Sequence, residues 1–336
     1  MGSEMCIRDR RTEQNKGKEE VMKVTTKTLS EEETVYIYEN KTGTAQMHLH
    51  QVFPGIELAY HTVHMDRRKL EAPEKDTIIE IRHCQQGRIE QHFRGGFFYL
   101  KPGDLSVTVR KEEELELKFP QCHYHGITIR IHTGIAPKCV SCFLKDVNVS
   151  PLLVAERLCG GKGSFVVRKK PYVEHIFDEL YSIPEQYKKG FLKIKILELL
   201  LVLSGIDPEE NKVSAVSLSQ TQVELAGKAA AYLKNRTDRE CTVTELAETF
   251  GISKSHLQNA FRGVYGLSVY EYIRAQKMQQ AAFELAEREK SILTIANEYG
   301  YENGSKFAAA FRKVMGETPT GYRRRSRING ERNIDK

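Results

Sequence analysis

Hydrophobic and polar residues alternate along much of the first half of the chain, and this period of two predicts half-buried β-strands. Ile127, Ile129 and Ile131 alternate with polar neighbours, and the same alternation returns within residues 105–119. Short runs of turn-forming residues separate these strands at close intervals. We therefore predict a small antiparallel β-barrel or jelly roll over residues 33–145.

From Pro171 onward the apolar spacing changes to the period of an α-helix. We predict a helical hairpin over residues 168–205, whose second helix spans about residues 185–203. The apolar residues of that helix cover more than the ~100° stripe of an ordinary surface helix. This surplus favours a homodimer that forms through the helix, and the alternative is a helix buried within its own domain.

The last third of the chain contains an internal duplication. Residues 206–220 are small, polar and charged and are predicted to be a linker, whereas residues 221–326 have a helical pattern throughout. Within this helical region the sequence of residues 260–262, Ala-Phe-Arg, recurs fifty positions later at residues 310–312. We therefore predict an all-α domain built from two related copies of one unit.

Each copy has the chemistry of a helix-turn-helix motif. Gly251 in the first copy and Gly300 in the second stand where a tight turn needs a positive φ. A helix follows each turn, and in the first copy it carries short polar side chains opposite its apolar stripe, as the reading of base edges requires. The helix predicted between the copies, residues 268–287, is ~30 Å long. Successive major-groove faces on one side of a DNA duplex are ~34 Å apart, so the two copies are spaced to bind adjacent segments of the groove.

These motifs resemble those of the AraC/XylS family of bacterial transcription regulators. The resemblance covers about residues 225–325 and includes Glu245-Leu-Ala-Glu-Thr-Phe-Gly251 and Ile295-Ala-Asn-Glu-Tyr-Gly300. It implies a sequence-specific DNA-binding regulator, commonly responsive to a small-molecule effector and often an activator, with RNA polymerase as a candidate partner. It also implies that the β domain is a cupin-like sensor and that the helical hairpin is a dimerisation element.

The polar helix faces and the resemblance together give the residues expected to contact double-stranded DNA. These are Lys254, Ser255, His256, Gln258, Asn259, Arg262, Asn303, Ser305, Lys306 and Arg312. The base-facing positions of the second copy fall on Gly304, Ser305 and Ala309, which offer little more than one hydroxyl group. The two copies are therefore expected to contribute unequally to sequence recognition.

The placement of charge agrees with a polyanionic partner. The chain has a net charge of +6, and from Ser219 to the end it has 19 Lys and Arg residues against 14 Asp and Glu residues. Almost the whole basic surplus therefore belongs to the helical region and to a basic tail, residues 327–336. The alternative is that this charge is only a solvated tail.

Nine of the eleven histidines lie between His48 and His132. His83, His123 and His125 share the strand parity of nearby isoleucines and are expected to point inward, whereas His48 and His50 have the opposite parity to their apolar neighbours and are expected to face outward. The inward three are our candidate effector-pocket residues. A metal site and ordinary core histidines remain as alternatives, and we predict no bound metal because the HxH-plus-carboxylate pattern of metal-binding cupins is absent.

Other chemistry is weakly supported. The odd number of cysteines, seven, does not indicate a disulfide framework, and Cys139 and Cys142 form a CxxC pair that no second pair completes. We therefore predict a cytoplasmic protein that is not an enzyme, uses no cofactor and has no membrane segment. The alternative function is a metal-dependent cupin-type enzyme or metal sensor fused to a DNA-binding module. Residues 1–21 are predicted to be a disordered extension, artefactual if Met22 is the true start.

Overall fold

A computed structural model describes most of the chain. It covers residues 22–70, 77–93, 96–110, 115–140, 149–160, 163–208, 218–234, 242–287, 290–315 and 317–324. The predicted N-terminal extension, the predicted basic tail, most of the predicted linker and Cys142 lie outside these residues. The described chain divides into two compact units, one of residues 1–89 and 102–211 and the other of residues 90–101 and 212–336.

The first unit contains an N-terminal antiparallel β-sheet domain. Its strands are β1 Lys23–Thr28, β2 Glu33–Asn40, β3 Gly43–Phe53, β4 Ile56–His64, β5 Arg67–Leu70, β6 Ile78–Gly87, β9 Leu105–Arg110, β10 Leu115–Lys118, β11 Tyr124–His132 and β12 Ser164–Val167. Eight of the strands form one sheet in the order β1-β2-β3-β4-β11-β6-β9-β12, and β5 pairs with β10 separately. Neighbouring strands pair in the antiparallel sense.

One face of the large sheet is apolar and packs against helices of the same unit. Ile127, Ile129 and Ile131 of β11 belong to a core cluster that includes residues of α1 Pro151–Cys159, α2 Pro171–Tyr181 and α3 Lys188–Gly205. The alternation in the sequence therefore identified the buried face correctly. The sequence analysis did not predict α1 or β12, because each is short and follows the last clear alternation.

The opposite face of the sheet is also buried in part, and it carries charged side chains as well as the apolar cluster of Met47, Leu49 and Ala59. Glu80 of β6 accepts hydrogen bonds from Arg82 and Arg110, each at 3.0 Å. The two arginines hold the pKa of this buried carboxyl below its usual value. A buried charge of this kind persists only because it is paired.

The structure corrects the expectation that His50 faces solvent. His50 is only 6% exposed, and its ring meets Tyr60 edge-on. Its parity relative to Met47 and Leu49 is as predicted, but that face of β3 packs against α3 and is therefore covered as well. Parity gives the side of a strand on which a residue lies, and burial depends on what covers that side.

The predicted helical hairpin corresponds to α2 and α3. Pro171 occupies the first turn of α2, where its missing N–H costs nothing. The second helix begins at Lys188 rather than at residue 185, because residues 185–187 form a separate 3-10 turn. No helix among the described residues has the length and apolar character needed to cross a membrane.

The second unit is a C-terminal helical domain, and a short β-hairpin from the first half of the sequence also belongs to it. Its helices are α4 Gln220–Lys234, α5 Val243–Thr249, α6 Lys254–Tyr265, α7 Val269–Glu287, α8 Ile292–Glu298 and α9 Gly304–Met315. The hairpin consists of β7 Ile89–Phe93 and β8 Gly96–Leu100, which pair with each other. The unit thus combines two stretches of chain more than a hundred residues apart.

Candidate nucleic-acid interface

The first helix pair, α5 and α6, is held by local capping interactions. Thr242 and Glu245 form a capping box at the start of α5, which satisfies two backbone N–H groups. The turn passes through Gly251 at φ 63°, a conformation that side chains with a Cβ rarely adopt. The hydroxyl of Ser253 then accepts the N–H of His256 at 3.2 Å and begins α6. These residues fix where α6 begins and which of its faces is exposed.

Helix α6 is strongly two-sided. Leu257, Ala260, Phe261 and Val264 are buried in the core of the unit. Among the predicted DNA contacts on α6, Gln258 is half-buried. The others are exposed: Lys254, Ser255, His256, Asn259 and Arg262. Hydroxyl, amide and imidazole groups on one exposed helix face can donate to and accept from base edges.

The second helix pair, α8 and α9, repeats the first in its backbone. Ser291 caps α8 by accepting the N–H of Thr294 at 3.0 Å, and Gly300 forms the turn at φ 82°. Asn303, one of the predicted DNA contacts, begins α9, because its Oδ1 accepts the N–H of Ser305 at 2.8 Å. Asn303 is exposed and has this capping role in the structure.

The exposed face of α9 differs in chemistry from that of α6. Ser305, Lys306, Ala309 and Arg312 are exposed, and Ala308 is half-buried. The buried stripe consists of Phe307, Ala310 and Phe311. The face therefore offers one hydroxyl group and two cations, which suit phosphate contacts better than base edges.

Helix α7 packs against α6, α8 and α9 and connects the two helix pairs. It has 19 residues, or ~28 Å at the rise of an α-helix. An edge-to-face aromatic pair repeats in the two cores, Phe261 with Tyr272 and Phe311 with Tyr322. The duplication seen in the sequence is therefore a duplication of side-chain packing as well.

The core of the first helix pair includes the β7–β8 hairpin. Phe97 exchanges two backbone hydrogen bonds with Leu218, at 3.0 and 2.9 Å. Tyr99 is 4% exposed and belongs to the same core cluster as Phe261. The core of the second helix pair is formed by residues of α7, α8, α9 and the segment after α9.

The predicted effector-pocket histidines divide into two places. His83 is buried, its ring stacks on Phe177 at a centroid distance of 3.9 Å, and its Nε2 lies 2.8 Å from Glu174 Oε1. Burial lowers the pKa of His83, and Glu174 partly offsets that effect. His123 and His125 lie together, with ring centroids 4.7 Å apart.

His64 joins His123 and His125, and the sequence analysis did not single it out. Its ring centroid is 5.3 Å from that of His123 and 5.7 Å from that of His125. The pairing of Tyr124 with Val63 explains this, because it places His64 next to His123 across adjacent strands. These three histidines are the group that could hold a metal ion in the described part of the chain.

Comparison with known proteins identifies relatives of the helical domain. A family model described as a helix-turn-helix domain matches residues 246–325. The transcriptional regulator Rob of Salmonella typhimurium is 35% identical over 95 residues, which are 28% of this chain and 33% of Rob. The regulatory protein SoxS of Escherichia coli is 34% identical over 95 residues, which are 28% of this chain and 89% of SoxS. The chain thus spans about a third of Rob and most of SoxS.

Solved structures give similar matches. A DNA-binding transcriptional dual regulator from Escherichia coli K-12 is 27% identical and covers 31% of this chain and 93% of its own, with a TM-score of 0.28. Apo ToxT K231A from Vibrio cholerae is 15% identical and covers 80% of this chain and 97% of its own, with a TM-score of 0.32.

Proposed function

Since the chain belongs to the AraC/XylS family of transcription regulators, we propose that it binds double-stranded DNA at specific sequences and regulates transcription. The observation that carries this proposal is the repeated helix pair, in which α6 and α9 each begin after a left-handed glycine turn and present an exposed polar or basic face. In this proposal residues 221–326 form the DNA-binding domain, with two helix-turn-helix motifs.

The two exposed helices, α6 and α9, are proposed to enter successive segments of the major groove. Segments on one side of the duplex repeat every ~34 Å, and α7 is 19 residues long, or ~28 Å. The groove repeat exceeds the length of α7 by only a few ångströms, and side chains of α6 and α9 can span this difference. A single protein molecule would then contact one face of the duplex over about two helical turns.

We assign different contacts to the two helices. Gln258 and Asn259 on α6 have the amide groups that pair with adenine N6 and N7. Lys306 and Arg312 on α9 are exposed cations suited to phosphate oxygens. The first helix would therefore supply most of the sequence preference and the second most of the register and affinity.

A homodimer through α3 is also proposed. Tyr187, Phe191, Ile194 and Leu201 are exposed, with Ile194 at 60%. The spacing of Phe191, Ile194 and Leu201 places them on one stripe of α3, opposite the buried residues that pack on the sheet, and Tyr187 directly precedes the helix. A second copy of the helix would cover this stripe. Light scattering of the purified chain should show a dimer that Ile194→Asp converts to a monomer, and an unchanged mass would contradict this interface.

The β domain, residues 33–145 without the β7–β8 hairpin, is proposed to be a cupin-like sensor that responds to a small molecule and so changes DNA binding or contact with RNA polymerase. His83, His123 and His125 remain the proposed effector-pocket residues. His83 is the most enclosed of the three, because it contacts Glu174, Phe177 and Tyr181 of α2. A metal sensor is the second candidate function, favoured by the approach of His64 to His123 and His125.

Sequence-specific binding can be tested by recovering fragments of the source genome with the purified chain and footprinting them. We expect a limited set of fragments, each protected on one face of the duplex over about 20 base pairs. Arg312→Ala should weaken binding to all fragments and reduce the salt slope by about one. Recovery that does not depend on sequence would contradict the proposal.

A further inference from the structure

We propose that His64, His123 and His125 bind one divalent transition-metal ion, such as Zn²⁺, and leave a coordination position open. One ligand nitrogen from each of these residues lies within 4.8 Å of the others. We name these three residues the histidine triad. It differs from the effector-pocket residues proposed above, because it includes His64 and excludes His83.

The pairing of β4 with β11 brings the triad together. β4 and β11 are neighbours in the sheet, and Tyr124 pairs with Val63. His64 is the last residue of β4 and His123 directly precedes β11, each one position beyond this pair, so the two residues lie next to each other. His125 lies two positions further along β11, on the same face as His123. The backbone thus holds three imidazoles in a fixed arrangement.

The distances suit a metal ion after small side-chain movements. Tetrahedral zinc has Zn–N bonds of ~2.0–2.1 Å, which place ligand nitrogens about 3.3 Å apart. The nitrogens of the triad lie within 4.8 Å of one another, so binding requires side-chain rotations that shorten these separations by up to about 1.5 Å. Three histidines with an open fourth position are a common zinc arrangement.

The environment is suitable in two further respects. Gln86 Oε1 lies 3.4 Å from His123 Nε2 and can hold the orientation of that ring, as outer-shell groups do in metal sites. His64 is exposed and His123 and His125 are half-buried, so an ion and a fourth ligand can reach the site from solvent. The triad is therefore both positioned and accessible.

The test uses the full chain after chelator treatment, with Co²⁺ and Zn²⁺ as the probes. Equilibrium dialysis should give one ion per chain, and bound Co²⁺ should show the visible absorption of a low-coordinate nitrogen site. His64→Ala and His123→Ala should each weaken binding more than about tenfold, the loss that even outer-shell changes produce in metal sites. His175→Ala is the matched control, because His175 is exposed on α2 and lies outside the triad.

Two results would overturn the proposal. One is unchanged affinity in His64→Ala, a surface substitution that leaves the core intact. The other is absorption from thiolate-bound Co²⁺, which would place the ion on cysteines. DNA binding is measured separately on the same samples. A chain that binds metal but not DNA contradicts the proposed DNA-binding function and leaves the triad intact, whereas a chain that binds DNA but not metal contradicts the triad and the metal-sensor candidate alone.

Discussion

The helices α6 and α9 have nearly the same backbone and different exposed surfaces. Each has twelve residues and follows a glycine with positive φ. At corresponding positions α6 carries Gln258 and Asn259 where α9 carries Ala308 and Ala309. The cores and turns of the duplication are alike because packing constrains them, whereas the exposed positions differ freely. A repeated fold therefore need not imply a repeated function.

The two cores share these repeated positions but are completed by different segments of the chain. The first includes Tyr99 and Phe97 from the β7–β8 hairpin, and the second is completed by residues of the C-terminal region itself. The stability of α6 therefore depends on a segment more than a hundred residues away in the sequence. The stability of α9 does not.

The largest expected effect comes from Tyr99→Ala. Truncation of a buried aromatic residue costs ~3–5 kcal/mol, and Tyr99 also donates a hydrogen bond to Glu90 at 2.5 Å. Hydrogen exchange should show faster opening of the amides in α6, with α9 changed much less. Tyr322→Ala, which removes a ring that packs on Phe311, should give the opposite pattern. Equal effects of both variants on both helices would mean that the cores are one cooperative unit.

The next effect concerns base recognition. Gln258→Ala should remove ~1–3 kcal/mol of discrimination at one base pair, while general affinity for DNA stays similar. Ala308→Gln, the matched change in α9, should add a preference at one position of the second half-site. Lys306→Ala is the control and should weaken all sequences alike. Binding to a panel of single-base operator variants measures all three effects. Loss of discrimination between bases in Lys306→Ala would contradict the assignment of base contacts to α6 and phosphate contacts to α9.

The two turns should respond equally. Gly251→Ala and Gly300→Ala each force a Cβ into the left-handed region, which costs ~1–2 kcal/mol. No atom lies within 4 Å of the added Cβ at either glycine among the described residues, so the cost is conformational alone. Denaturant titration should give matching losses of unfolding free energy. A clear difference would show that the two turns are not equivalent.

The smallest effect is on pH dependence. Hydrogen bonds from the backbone N–H and hydroxyl of Ser268 lower the pKa of the Glu271 carboxylate at the start of α7. The charged form is therefore stabilising above the unfolded pKa, near 4.5, and that contribution is lost as pH falls through the lower folded pKa. The corresponding position in the second copy is Gly321, which cannot titrate.

Thermal unfolding of the wild type and Glu271→Gln tests this difference. The wild type should unfold at a higher temperature at pH 7. The difference in unfolding temperature should close only as the pH falls through the lowered folded pKa of Glu271, because both side chains are neutral below it. A gap that persists in acid would mean that the carboxylate charge is not its source.

The sequence predicted the repeated elements well. The glycine turns, the apolar stripe of α6 and the recurrence of residues 260–262 at residues 310–312 all follow from local periodicity, turn chemistry and internal repetition. The sheet face formed by Ile127, Ile129 and Ile131 followed from alternation alone. These features depend on residues close together in the chain.

The features that the sequence did not predict depend on distant pairings. His64 meets His123 because β4 lies beside β11, a neighbour relationship that alternation does not reveal. Tyr99 lies in the helical unit although its strand pattern resembles that of the β domain. His50 is buried because α3 covers its face. In each case the deciding contact is with an element more than fifty residues away in the chain.

The most direct test of unequal recognition is a binding selection by the purified chain over fully randomised DNA. The account predicts one sharply defined half-site, read by α6, and a weakly defined one about ten base pairs away, contacted by α9. In the weak half-site, base preferences should be shallow because Gly304, Ser305 and Ala309 offer few groups to base edges. Two equally sharp half-sites would contradict the account.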